Sequence, residues 1–126
     1  MTTYDGSIDQ TEDSANGTKF SAIAGAAITK GMALKFDGST AKTVVVTTAT
    51  SSLCIGIARN SATTGESVCV LSNGCKVVVP YTLTLGASAG CGAAGAVADW
   101  SVSGTRVGVC ETSAASASVL RIKIQY

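Results

Sequence analysis

Five cysteines, eight carboxylates and no histidine set what chemistry this 126-residue chain can do. Without histidine the commonest general base is gone, and with it Ser-His-Asp and Cys-His machinery. The cysteines, Cys54, Cys69, Cys75, Cys91 and Cys110, include no CxxC spacing. A zinc site would need four thiolates, or thiolates with carboxylates, and this spacing does not support one. Small buried apolar side chains are the better reading of an odd number of thiols in a chain that reads as made in the cytosol.

Half of the carboxylates, Asp5, Asp9, Glu12 and Asp13, crowd the start of the chain. The others, Asp37, Glu66, Asp99 and Glu111, are far apart and lie in or near turn signals, so no glycosidase-like couple stands out. The Gly-rich run 86–95 (GASAGCGAAG) invites a phosphate-loop reading but lacks the GK[ST] ending. Its spaced glycines, Gly90, Gly92 and Gly95, run into GAVADW, which reads as loop then strand rather than helix. Basic residues are scattered and aromatics are 5% of the chain, which gives no nucleic-acid footprint. The expectation is a protein that is not an enzyme, with no cofactor, no metal, no nucleic-acid partner and no membrane partner. Trp100, the lone tryptophan, reads either as a partly buried cap on the core or as an anchor at a subunit interface.

The elements that must hold these residues are read from texture. One domain fits the length. Charged residues are 13%, against roughly 25% in an average soluble protein. The apolar share is rich in Ala and Val, and β-branched residues with many Thr, Ser and Gly favour strands and turns. Residues 1–18 are polar and acidic and read as an extended arm, unable to bury enough surface to fold alone. Residues 19–126 read as a single all-β domain, a small β-sandwich or barrel-like body. The first 20 residues hold four acids against Lys19, net −3, while the remainder holds eight basic and four acidic groups, net +4. An acidic arm of this kind suits a basic neighbour; a solvated tail is the plainer alternative. Met1 is followed by Thr-Thr-Tyr-Asp, without the basic and apolar regions of a secretory signal, and no run has the length of a membrane span.

Strands are predicted at 32–36, 42–48, 53–58, 67–72, 75–79, 97–100, 106–110 and 118–125, and the Ala-rich 85–98 is predicted not to be helical. In the last strand Leu120, Ile122 and Ile124 point one way and Arg121, Lys123 and Gln125 the other, a half-buried pattern. The segment 67–79 predicts a hairpin with Asn73-Gly74 in a type I′ turn. Val68, Val70, Cys75, Val77 and Val79 then share the core face, with Cys69 opposite, and Pro80 marks the end of the strand or an edge. Residues 55–70 (IGIARNSATTGESVCV) resemble 107–122 (VGVCETSAASASVLRI), with Gly56 matching Gly108 and Ser61 matching Ser113. This pattern reads as two β units of similar design.

Taken in order, the motifs are AIAGAAITKGMALKF, the apolar-Gly-apolar strand at 55–57, GESVCV, the Gly/Ala-rich link and the closing VGV…VLRI. This order resembles the small head-decoration, or capsid-stabilising cement, proteins of tailed bacteriophages over about residues 20–126. The resemblance implies a structural virion protein on the outer capsid surface, often a homotrimer, that bridges major capsid protein subunits. In some such proteins an N-terminal arm adds to a capsid strand; here 1–18 would fill that place, with Tyr4 and Ile8 as apolar anchors, Asp5 and Asp9 as charged contacts, and Trp100 as a body contact. Other readings remain open: a tail-tube, fibre or minor capsid protein, or a cell-surface β domain.

Overall fold

A computed structural model describes residues 17–48, 53–100, 106–113 and 117–125. The arm residues Tyr4, Asp5, Ile8 and Asp9 lie outside these. Two β layers make up the described chain. The first holds β1 (Lys19–Ala24), β2 (Ala33–Phe36), β3 (Thr43–Val46), β4 (Gly56–Ala58) and β5 (Ser67–Leu71). They close into a barrel in the order β1-β3-β2-β4-β5, with β1 and β3 parallel and the other pairs antiparallel. The second is an antiparallel sheet of β6 (Lys76–Val79), β7 (Ser88–Cys91), β8 (Val97–Asp99), β9 (Arg106–Ser113) and β10 (Ser118–Gln125). Its order is β6-β10-β9-β7-β8.

Strand alternation sorts the apolar residues into two cores. Ala22, Ala24, Leu34, Val44, Ala58, Val68 and Val70 point into the barrel, joined by Ile28 and Ala62 from its loops. A five-stranded barrel has a narrow interior, which is why so many of these are Ala and Val. The opposite parity of the same strands builds the second core. Ala33, Ile57 and Leu71 stand side by side across β2, β4 and β5. They pack outward onto Val77, Val79, Ala89, Val107, Leu120 and Ile122 of the second sheet. One wall of the barrel is thus apolar on both faces, which welds the layers together.

Gly56 opens β4 and Gly108 lies within β9, each between two apolar neighbours in sequence. A Cβ on Gly56 would strike the carbonyl oxygen of Leu71, and one on Gly108 that of Arg121. Each glycine lets its strand lie close against the backbone of the strand that follows it in chain order in its layer, β5 and β10 respectively.

The predicted 67–79 hairpin does not form. The turn is present, with the Cys75 amide donating to the Ser72 carbonyl at 3.1 Å. Gly74 has φ 91°, but Asn73 is not among the residues with positive φ, which is the type II pattern rather than I′. A type II turn splays the strands it joins. Both edges of β5 are also already taken, by β1 and β4. The chain therefore leaves the barrel at this turn and enters the second sheet, where β6 pairs with β10. The face assignment survives for a different reason: Val68 and Val70 fill the barrel, while Cys75, Val77 and Val79 fill the core between the layers. Pro80 does follow the end of β6, an edge strand.

Candidate functional site

Each carboxylate among the described residues is held by its own surroundings. Asp37 accepts from the Ser39 hydroxyl at 2.8 Å. Glu66 accepts from the Thr63 amide at 2.7 Å, and the Thr63 backbone and side-chain hydrogen bonds lower its pKa. Asp99 accepts from the Thr84 hydroxyl at 2.5 Å and the Thr84 amide at 2.8 Å, which lower its pKa in the same way. Glu111 meets Lys76 Nζ at 3.3 Å and Arg121 Nε at 2.9 Å. Burial alone would raise its carboxyl, but the hydrogen bonds and charges of Arg121 and Lys76 together carry it below the ordinary range.

Cys54, Cys75, Cys91 and Cys110 are buried and Cys69 is half-buried, all as free thiols. Cys54 shares a hydrogen bond with Cys91, and that bond, with burial, pushes its thiol well above the ordinary value. Among the described residues no group of three His, Cys, Asp or Glu side chains is placed to hold a metal ion. The Gly-rich segment 86–95 contributes β7 and a single 3-10 turn at Ala93–Gly95, which is too short to offer a helix terminus to a phosphate.

What the fold does assemble is a face. On the side of the second sheet turned away from the barrel, Lys76, Arg121, Val109 and Ser88 are register partners across β6, β10, β9 and β7. Arg106, Lys123, Val109, Gly108 and Ser88 line a shallow hollow of about 140 Å³ beside that row. Trp100 follows β8, and its amide donates to the Ser88 carbonyl at 2.8 Å. The Arg106 guanidinium lies 4.1 Å from the centre of the Trp100 ring. The indole is half-buried and flat against a cation, an arrangement that favours both groups. Among the described residues, Lys76, Arg106, Arg121 and Lys123 thus share this face with one carboxylate, Glu111. Of the residues singled out from sequence, Trp100 belongs to it, while Tyr4, Asp5, Ile8 and Asp9 lie outside the described residues. Sequence reasoning missed Arg106, Arg121 and Lys123 as a group because the sheet, not the chain, brings them together.

At the barrel, Phe20 and Phe36 stack with ring centres 6.4 Å apart. Phe20 packs on the barrel interior and Phe36 is 54% exposed, two residues beyond the inward-facing Leu34.

Fold and face together define an all-β body with a solvent-facing basic sheet. No family model matches the chain, and no curated protein matches it at a significant level. Among solved structures it is similar to the crystal structure of the head fiber gp8.5 N base in bacteriophage phi29. The TM-score is 0.65 at 14% identity, over 84% of this chain and 93% of that one. That likeness establishes a shared fold.

Proposed function

We propose that this chain is a structural, non-enzymatic component of a bacteriophage virion: a decoration protein that sits on the outer capsid surface and stabilises it by bridging major capsid protein subunits. The observation that carries this reading is the barrel-plus-sheet fold shared with a phage head fibre base over most of both chains. The order of sequence motifs supports it. The chemistry is consistent, since a cement needs a rigid body and binding surfaces rather than a reactive centre. The arm, through Tyr4, Asp5, Ile8 and Asp9, and Trp100 on the body are the proposed contacts. A homotrimer is the proposed assembly, because several linked attachments raise effective concentration at the capsid.

A second reading is favoured by the neighbour itself: the base of a head fibre, attached to the head without bridging its subunits. One experiment separates the two. The purified protein is mixed with expanded, undecorated capsids, sedimented, and the capsids are then heated. Saturable co-sedimentation with a raised capsid melting temperature is expected for a cement. Saturable binding with unchanged melting would favour the fibre base, and no binding would remove both.

A further inference from the structure

We infer that the basic outer face of the second sheet is the docking site of the chain's own acidic N-terminal arm when the protein is free. The first observation is charge. Lys76, Arg106, Arg121 and Lys123 share that face, and among the described residues Glu111, which pairs with Lys76 and Arg121, is the one carboxylate on it. The residues preceding Gly17 hold Asp5, Asp9, Glu12 and Asp13 and no base. Opposite charges at this density attract over about 8–10 Å at physiological salt.

The second observation is where the arm begins. Thr18 is fixed to the β5–β6 turn: its amide donates to the Asn73 carbonyl at 2.9 Å, and its carbonyl accepts from the Ser72 amide at 2.8 Å. Gly17 lies against the backbone of Asn73, Gly74 and Cys75, too close for a Cβ. Arg121 Nη1 donates to the carbonyl of that same Gly74 at 3.0 Å. The Asn73 side chain accepts from the Ile124 amide at 2.5 Å, which holds the turn beside Lys123 as well. The arm therefore departs at the Arg121 end of the basic row. Asp13 lies four residues before Gly17, within about 14 Å of it when extended. Asp9 and Asp5 have the length to continue toward Lys123 and Arg106.

The third observation is shape. The hollow between Arg106 and Lys123 is floored by Gly108, Ser88 and Val109, which is 39% exposed. Two cations around a small, partly apolar depression suit a carboxylate with its methylene, the side chain of Asp or Glu. In this state the arm is stored on the body, and any binding of the arm elsewhere must first displace it. The inference concerns the free protein and stands or falls without a capsid.

The test uses the full-length chain. A water-soluble carbodiimide joins carboxylates to amines that lie in contact, and the products are mapped by mass spectrometry on a mixture of unlabelled and nitrogen-15-labelled protein. The expected result is amide cross-links from Asp5, Asp9, Glu12 or Asp13 to Lys123 within chains of one isotopic label. Their yield should exceed that to the barrel residues Lys30 and Lys42 by about tenfold, the advantage of a held over a wandering arm. They should fade at about 1 M salt, where screening shortens to about 3 Å. The D5N/D9N/E12Q/D13N variant should shift Trp100 emission, as the indole loses anions near its Arg106 partner. Equal yields at Lys123, Lys30 and Lys42 would overturn the inference. Cross-links joining one label to the other would overturn it too, by making a second copy the occupant.

Discussion

Gly108 shows how much of this molecule rests on the absence of one atom. Its Cα is pressed against the Arg121 carbonyl, so the β-carbon of Gly108→Ala has nowhere to go but into backbone. Forcing the two strands apart is an overpacking penalty, about 1–3 kcal/mol in well-packed interiors. A fall of that size in the denaturant-unfolding free energy is expected, with the slope unchanged. Cys54 makes a different prediction. The fold holds its thiol protonated, through the hydrogen bond with Cys91 and burial. Its pKa is thus higher folded than unfolded, and its contribution is complete below the ordinary value of 9.0 and lost as pH climbs toward the folded value. The melting temperature should drop above about pH 9, and Cys54→Ala should flatten that slope. Glu66, Asp99 and Glu111 act in the opposite sense. Their folded pKa values are lowered, so their contribution is present above the ordinary carboxyl range and lost as pH falls through the folded values. The melting temperature should fall modestly as pH drops below the ordinary carboxyl range, because Glu66 and Asp99 are exposed to solvent screening.

At the scale of elements, Leu71 joins the layers. It is fully buried on the outer barrel wall, opposite Ile57 in β4 and against the second sheet. Leu71→Ala should cost about 2–5 kcal/mol, the range for emptying a core position. Calorimetry should still give one cooperative transition, because the barrel wall belongs to both cores. The strands built from β-branched runs were legible in the sequence: β3, β5, β6 and β10 lie within their predicted segments, since Val and Ile carry a strong pleated preference. Two were not. β7 (SAGC) is made of small residues with weak intrinsic preference, and in β1 (KFSAIA) a lysine, a serine and two alanines dilute the preference of Phe20 and Ile23. They are strands because tertiary partners need them, β1 to close the barrel and β7 to span β8 and β9. The Asn73-Gly74 turn was visible but its consequence was not, because a local turn signal does not say whether the two strands already have partners. The basic face was invisible for a related reason. Arg106, Arg121 and Lys123 sit on two strands and Trp100 follows a third, so only the register collects them.

For the whole molecule, closure decides how the protein meets others. Among the described residues the barrel leaves no strand edge open, and the second sheet offers β6 and the three-residue β8. β6 is four residues long and stopped by Pro80. Short or proline-ended edges resist unplanned pairing. This favours recognition through faces and the arm, and it sets the capsid and cross-linking experiments above as the relevant tests at this scale. The exposed apolar residues Ile23, Phe36, Leu53 and Leu85 are spread over β1, β2 and two connecting segments rather than gathered on the second sheet. On that face Val109 is the exposed large apolar side chain among the described residues, so charge, the Trp100 ring and Val109 are what it has to offer.

The pairing order carries one more consequence, for synthesis on the ribosome. β6 has no partner in its own sheet until β10 arrives, and β10 is the last described strand. Leu83 and Tyr81 meanwhile wait for Ser118, whose hydroxyl accepts from the Leu83 amide at 3.0 Å and donates to the Tyr81 carbonyl at 2.9 Å. The barrel strands can close earlier, yet their outer apolar wall lacks the cover of Leu120 and Ile122 until then. Such distant pairings fold slowly. A nascent chain halted before Ser118 would lack that cover, so prematurely terminated copies would present Ile57 and Leu71 to chaperones and proteases.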